Sequence, residues 1–124
     1  MTIASIAQIA ITVKDVSRAV AFYRDKLGLR FLFQPSPSLA FFDCGGVRLM
    51  LDSPADPRFQ HPSSIVYFNV ADIKAAHQQL LSRGVHFEEE PHIIARVASR
   101  DVWLAAFHDS EQNVMALMSE VPAP

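Results

Sequence analysis

Apolar residues follow two periods along this chain, and the same succession of periods occurs twice. Residues 8–13 (QIAITV) alternate, which predicts a β-strand with one buried face. Over residues 16–27 the apolar spacing becomes three to four, which predicts a helix, and Gly28 stands at the usual helix stop. A strand pattern, a helix pattern and a glycine return in that order over residues 66–84, beginning VYFNVADIKAAHQQL.

The two copies match in detail. A shift of 57 residues places Asp15 on Asp72, and each aspartate stands where a helix N-cap is expected, with Ser17 as an alternative cap in the first copy. A shift of 68 residues places Arg48 on Ala116 near the end of each copy. The offsets change only where loops are expected, so the chain is one supersecondary unit written twice.

Each copy is predicted to contain a strand, a helix and three further strands. The later strands are LRFLF, LAFFDC and VRLMLD in the first copy, and VHFEEE, VWLAAFHD and NVMALMS in the second. The predicted fold class is α+β, with two βαβββ modules forming a cupped mixed sheet with helices outside. We expect a single domain over residues 1–124, with module one at about 1–53, a connection at 54–63 and module two at about 64–120.

Strand alternation predicts which side chains could meet a ligand. One row of each strand must pack against a helix, so the other row faces away from it. Two curved sheets with helices outside would enclose a groove lined by these second rows, and such a groove suits a small molecule. The predicted ligand-binding residues are Gln8, Thr12, Arg48, Met50, Tyr67, Asn69, Trp103 and Met118.

Composition excludes several function classes. Half of the residues are hydrophobic and the net charge is -2, so the chain lacks the basic footprint of a nucleic-acid or anionic-membrane binder. Cys44 is the single cysteine, which fits a reducing compartment and a structural thiol better than a nucleophile. With no signal-peptide pattern and no apolar run of membrane length, a cytoplasmic location is expected.

Two segments resemble the vicinal oxygen chelate superfamily, which includes glyoxalase I, bleomycin-resistance proteins and extradiol dioxygenases. ITVKDVSRAVAFYRDKLGL is close to its opening signature, and FHDSEQNVMALM is similar to its closing signature. The resemblance covers essentially the whole chain and implies paired βαβββ modules, usually in homodimers. It departs in the closing loop, where Ser110, Glu111 and Gln112 replace the usual Pro, Asp and Gly.

The resemblance also implies four slots for metal ligands, two in each module. In this sequence the slots hold Gln8, Arg48, Ile65 and Ala116. Isoleucine and alanine have no donor atom, and an arginine cation repels a divalent metal. No metal cofactor is therefore expected.

Arg48 is the leading candidate for ligand contact. A guanidinium in the groove could bind a carboxylate, phosphate or enolate oxygen in a bidentate pair. The alternative is an arginine paired with a neighbouring acid or extended into solvent.

The segment EEEPHII is a second place for chemistry. Glu88 and Glu90 are predicted on one face of a strand, Glu89 on the other, and His92 follows Pro91. A carboxylate and an imidazole two residues apart could act as acid and base, whereas a solvated acidic edge is the structural alternative. The predicted catalytic residues, if there is catalysis, are His92, Glu90 and Tyr67.

Three functions remain open from the sequence. The first is a metal-independent protein, similar to the bleomycin-resistance branch, that binds a small anionic or aromatic molecule. The second is a glyoxalase-like lyase or isomerase that uses these acid-base groups, with or without an atypical metal. The third is a non-catalytic module whose function is its dimer surface.

Overall fold

The computed structural model describes residues 2–124 and divides the chain into two compact units, up to Ser64 and from Ile65. Each unit contains one sheet, so the repeat in the sequence is a repeat of structure. The α+β class and the two modules are confirmed. Within the described residues, no helix is long and apolar enough to cross a membrane.

Unit one is a four-stranded sheet with one principal helix. Its strands lie in the order β1-β4-β3-β2, with β1 parallel to β4 and the other pairs antiparallel. Helix α1 contacts β3 and β4. The elements are β1 (Gln8–Thr12), α1 (Val16–Ala21), a π-helical turn (Phe22–Lys26), β2 (Arg30–Ser36), β3 (Leu39–Cys44), β4 (Val47–Asp52) and a 3-10 turn (Pro57–Phe59).

Local chemistry fixes both ends of the first helical segment. The Asp15 carboxylate accepts a hydrogen bond from the Arg18 N–H at 3.0 Å, which satisfies a donor that has no partner inside the helix. At the other end the segment widens into a π-helical turn, and the Leu27 N–H donates to the Phe22 carbonyl at 3.1 Å. Gly28 then takes a φ of 75°, which a residue with a Cβ rarely adopts.

The core of unit one lies between the inner row of the sheet and the helical segment. Ile11 and Leu51 are 0 % exposed on neighbouring strands. Tyr23 is also 0 % exposed, and its ring lies 6.1 Å from the Phe42 ring of β3. The alternation predicted for β1 and β4 is therefore confirmed, and the other side of this sheet is not covered by α1.

Unit two is a five-stranded sheet with one helix. Strands β5, β9, β8 and β6 lie in that order, and β7 also pairs with β8. Helix α2 contacts β8 and β9. The elements are β5 (Tyr67–Asn69), α2 (Ile73–Ser82), β6 (His86–Phe87), β7 (His92–Val97), β8 (Arg100–His108) and β9 (Val114–Pro122).

Helix α2 is capped by an aspartate in the same way as α1. The Asp72 carboxylate accepts from the Ala75 N–H at 3.1 Å, which confirms the predicted cap. Its buried residues, Ile73, His77 and Leu80, recur at helical spacing and face the sheet.

The strand prediction for VHFEEE is wrong beyond its first residues. Only His86 and Phe87 form β6, and the chain leaves the sheet before it returns as β7 at His92. Both β6 and β7 pair antiparallel with β8, so they are one strand with an interruption. Three adjacent carboxylates repel one another, and Pro91 lacks the N–H that a sheet requires, which accounts for the gap.

The interrupted segment is tied to β8 by a carboxylate and an imidazole. The Glu88 N–H donates to the Ala106 carbonyl at 2.8 Å, and the Glu88 carboxylate hydrogen-bonds the Nε2 atom of His108. The hydrogen bond from His108, with a smaller effect of the His108 charge, lowers the pKa of Glu88, and His86 adds in the same direction. The rings of His86 and His108 lie 5.5 Å apart.

This pair predicts a pH-dependent contribution to stability. A carboxyl whose pKa is lowered by folding stabilises the protein above its ordinary pKa, and that stability is lost as pH falls through the lowered pKa. We expect Glu88→Gln to reduce the free energy of unfolding at pH 6 to 7, and the difference from wild type to vanish at acid pH. Urea denaturation across this pH range measures it. Glu120→Gln is the control, and a Glu88→Gln effect independent of pH would contradict the assignment.

Candidate functional site

The uncovered side of the unit-one sheet carries most of the unit-one residues that alternation predicted. This open face of unit one consists of Gln8, Thr12, Phe41, Arg48 and Met50 with their neighbours in the same rows. In register, Gln8 pairs with Arg48, and Met50 pairs with both Ala10 and Phe41. Directly paired residues project on the same side of a sheet, so these side chains form one surface.

Arg48 lies on this surface against an aromatic ring. Its guanidinium carbon is 5.2 Å from the centroid of Phe41, within the range of a cation–π interaction. Phe33 of β2 packs beside Phe41 with ring centroids 4.9 Å apart. Phe41 thus supports the guanidinium.

The Arg48 guanidinium has no carboxylate partner among residues 2–124. Asp43 is its register neighbour on β3, yet the two side chains form no ion pair within the part of the chain described. Of the two structural alternatives considered for Arg48, pairing with an acid is therefore wrong. The side chain is exposed and keeps all its donors available.

The other predicted residues of unit one differ in how available they are. The Gln8 amide nitrogen donates to the sulfur of Met50 at 3.4 Å, a weak bond that leaves the amide oxygen free to accept. The Thr12 N–H donates to the Ser63 hydroxyl at 2.8 Å, so this end of β1 is engaged with the connecting segment. Ser63 was not foreseen, because nothing in its local pattern signals a contact 51 residues away.

In unit two, the uncovered side of the sheet brings together several predicted residues. Asn69, Met118, Leu104 and His92 follow one another in register across β5, β9, β8 and β7. Tyr67 lies on the same side of β5, and it is 50 % exposed. We name Tyr67, Asn69, Met118, Leu104 and His92 the open face of unit two.

Trp103 does not belong to that face, and its predicted placement requires correction. Its Cα pairs with Ser119, whereas Met118 pairs with Leu104. Since neighbouring residues of a strand point to opposite sides, Trp103 faces α2, where the Lys74 ammonium lies 5.1 Å from its ring centroid. The sequence could not decide this, because the row to which Trp103 belongs depends on the register between strands.

The predicted acid-base pair is also arranged differently. Nδ1 of His92 hydrogen-bonds the Glu90 carbonyl at 3.0 Å, while the nearest carboxylate to Nε2 is that of Glu89, at 3.8 Å. The Glu90 side chain instead lines a cavity of about 210 Å³ beside α2. Tyr67 is three strands away from His92 and lies in a different row across the sheet, so the two residues are at least about 14 Å apart. The structure does not bring the three predicted catalytic groups within hydrogen-bonding distance of one another.

The residues at the four positions that the resemblance assigns to metal ligands are not suited to bind a metal ion. In unit one, the neutral amide of Gln8 is paired with Arg48. The positive charge of the Arg48 guanidinium repels a metal cation. In unit two, Ile65 and Ala116 offer no donor atom. Within residues 2–124, no three His, Cys, Asp or Glu side chains cluster as metal ligands would.

Cys44 is placed as expected for a structural thiol. It ends β3 before the Gly45–Gly46 turn and is half-buried. Burial, and secondly the nearby Asp43 charge, raise the pKa of the Cys44 thiol. A raised pKa lowers the thiolate fraction and hence the nucleophilicity.

Solved structures share this arrangement of elements. A glyoxalase/bleomycin resistance protein/dioxygenase superfamily member from Sphaerobacter thermophilus is 23% identical, with a TM-score of 0.78 over 96% of this chain and 99% of that one. A lactoylglutathione lyase from Agrobacterium tumefaciens is 21% identical, with a TM-score of 0.71 and 96% of each chain covered. An integron cassette protein from the mobile metagenome of V. cholerae is 19% identical, with a TM-score of 0.77 over 96% of this chain and 97% of that one. At these identities the likeness is one of fold.

No protein of curated function matches the chain. The family model described as Glyoxalase/Bleomycin resistance protein/Dioxygenase superfamily matches residues 5–109, which is most of the chain. The match runs from before β1 to the end of β8, so it covers unit one and most of unit two and includes the opening segment that resembles the superfamily signature. The chain therefore belongs to the glyoxalase/bleomycin resistance protein/dioxygenase superfamily.

Proposed function

We propose that this protein binds a small anionic or aromatic molecule, without a metal, on the open face of unit one. The observation that carries the proposal is Arg48, an exposed guanidinium with no carboxylate partner in the described residues, supported by the Phe41 ring. It stands at a position where the superfamily's metal enzymes have a ligand. An arginine there can attract the negative oxygen that a metal would otherwise bind.

The surroundings of Arg48 suit a flat ligand with one negative end. Phe33 and Phe41 form an adjoining aromatic surface, and Met50 is adaptable in shape. A ring could pack there while its carboxylate meets the guanidinium in a bidentate pair. The Gln8 amide oxygen would accept a hydrogen bond from a ligand hydroxyl, which adds a neutral specificity contact.

Charge favours a singly charged ligand. Asp43 lies between Arg30 and Arg48 in register across β2, β3 and β4, so this part of the face carries two cations and one anion. The net local charge is one positive unit, which attracts an anion. A multiply charged anion would also meet repulsion from Asp43.

A second candidate is a glyoxalase-like lyase or isomerase based on His92. The specific observation is that Nε2 of His92 is 3.8 Å from a Glu89 carboxylate oxygen while the ring is exposed, so the imidazole could exchange protons with a substrate. One of the structural neighbours is a lactoylglutathione lyase. The binding proposal is preferred because Tyr67 and Glu90 do not converge on His92, and because no three His, Cys, Asp or Glu side chains among residues 2–124 cluster to hold a metal that would stabilise an oxyanion.

Substitution of Arg48 tests the binding proposal. We expect Arg48→Met to weaken binding of aromatic carboxylates such as benzoate and naphthoate at least tenfold, because the charge and its fork of donors are lost. The free energy of unfolding should change by no more than about 0.5 kcal/mol, as is usual at an exposed position. Ligand-observed NMR and urea denaturation measure the two quantities. Arg24→Met, which removes an exposed arginine from the helical segment, is the matched control.

Strong destabilisation by Arg48→Met, with unchanged affinity, would show that Arg48 is structural. Arg48→Lys separates charge from geometry. It should keep part of the affinity, because a lysine retains the charge but cannot form the bidentate pair.

Metal independence is tested by elemental analysis. We expect tag-free protein to retain far less than one equivalent of nickel, cobalt, manganese or iron(II) after incubation and dialysis, because the inherited slots lack donors. Near-stoichiometric retention would contradict the proposal and direct attention to His92, His108 and the acids near them. Apo and incubated samples should also bind benzoate equally.

Turnover distinguishes the second candidate. A panel of hemithioacetals and related glyoxalase-type substrates should show no turnover that depends on His92, so wild type and His92→Ala should have the same background rate. A rate lost in His92→Ala and retained in His61→Ala would favour the lyase or isomerase. If neither ligand binding nor turnover is found, and substitutions change only the oligomeric state, the dimerising module is supported.

A further inference from the structure

Helix α2 leaves part of its own side of the unit-two sheet uncovered. A cavity of about 300 Å³ lies between the first turn of α2 and the strands β8 and β9. Trp103, Val121 and Ile73 give it apolar walls. This volume is at the lower end of the range for small-molecule pockets, and the cavity lies on the opposite side of the sheet from the open face of unit two.

A cation stands at this cavity without an acidic partner. The Lys74 ammonium lies 5.1 Å from the centroid of Trp103, so the ring holds it over the apolar wall. Among the residues that the structure describes, Lys74 forms no ion pair. Its three N–H donors are therefore free to meet an anion.

A buried hydroxyl lines the same cavity. Ser119 is 2 % exposed, yet its side chain has no hydrogen-bond partner within residues 2–124. A buried polar group normally has a partner. Ser119 is one of the residues that line the cavity, so a ligand atom there could satisfy its hydroxyl. This observation is independent of Lys74.

Asp72 limits the charge of the ligand. It also lines the cavity, and one of its carboxylate oxygens accepts the capping hydrogen bond from Ala75. A dianion such as a phosphate ester would be repelled by this carboxylate at close range, whereas a single carboxylate can approach from the Lys74 side. The apolar walls favour a hydrocarbon body over a polar one.

We propose that this cavity is a second binding site, for a small monocarboxylate with a flat apolar body. The carboxylate meets the Lys74 ammonium, the body packs against Trp103 and Val121, and the Ser119 hydroxyl hydrogen-bonds an oxygen of the ligand. The site lies wholly within unit two and does not depend on ligand binding at Arg48.

The single tryptophan of the chain makes the site directly observable. Phenylacetate is a suitable probe, because it has the required chemistry and does not absorb where tryptophan is selectively excited. Titration of the full chain should change Trp103 emission in a saturable way. Neutral phenylacetamide should bind at least tenfold more weakly, because it lacks the charge that Lys74 recognises.

Substitutions assign the response to the cavity. Lys74→Met should weaken phenylacetate binding at least tenfold, and Ser119→Ala should weaken it about threefold or more. Lys74→Arg, which keeps the positive charge, should retain most of the affinity. Lys26→Met is the matched control, since Lys26 lies over the Phe22 ring at 5.9 Å in unit one. Far-ultraviolet circular dichroism confirms that each variant is folded.

Two results would overturn the proposal. The first is the absence of saturable binding both by Trp103 emission and by ligand-observed NMR, which detects binding that leaves the emission unchanged. The second is equal affinity in wild type and Lys74→Met. An affinity lost in Arg48→Met and retained in Lys74→Met would place the ligand on the open face of unit one, and would leave that proposal standing while rejecting this one.

Discussion

Each sheet of this protein has one principal helix packed on one of its two sides, and that constraint decides which row of each strand is buried. Helix α1 covers one side of β3 and β4, and α2 covers one side of β8 and β9. In unit one, the strand residues on the side of α1, such as Ile11 and Leu51, are apolar and fully buried, whereas alternating residues such as Gln8, Thr12 and Arg48 are polar. Because the side-chain period of a strand is two, one helix fixes the orientation of every residue in the strands beneath it.

In the proposed function, Arg48 recognises an anion on this scaffold without a metal. A free guanidinium in water loses side-chain entropy when it binds a ligand. Packing against Phe41 restricts Arg48 beforehand, which reduces that cost. An arginine at this position also disfavours a metal ion, because a fixed cation repels another cation. Under the proposed function, the guanidinium supplies the positive charge that meets the negative oxygen of the ligand.

Unit two departs from its sequence pattern at a point with consequences for chemistry. The run of Glu88, Glu89 and Glu90 before Pro91 interrupts the strand, and the three carboxylates separate in space. Glu88 hydrogen-bonds His108, Glu89 approaches His92, and Glu90 lies toward α2. Charge repulsion and the missing proline N–H disperse a cluster that looks concentrated in the linear sequence. Each resulting pair joins one carboxylate to one imidazole, and strand alternation alone would not have predicted either pair.

The sequence by itself determined the family, the two βαβββ modules, the aspartate cap of α2 and the inner and outer rows of β1 and β4, and it limited the cap of α1 to Asp15 or Ser17. These features depend on local patterns: the period of apolar residues, the capping residue before a helix, and a glycine after it. The opening and closing segments also resembled signatures of the superfamily, and the repeat of the strand-helix unit in both halves strengthened that resemblance.

Only the tertiary structure decided which distant side chains meet. The support of Arg48 by Phe41, the engagement of Thr12 by Ser63 and the position of Trp103 beneath Lys74 depend on strand register and on contacts between residues far apart in sequence. A shift of one residue in register would exchange the faces of Trp103 and Leu104 without changing any local pattern. The chemical capability of each side chain could therefore be predicted from the sequence. Which side chains come together in one site depended on how the strands pair.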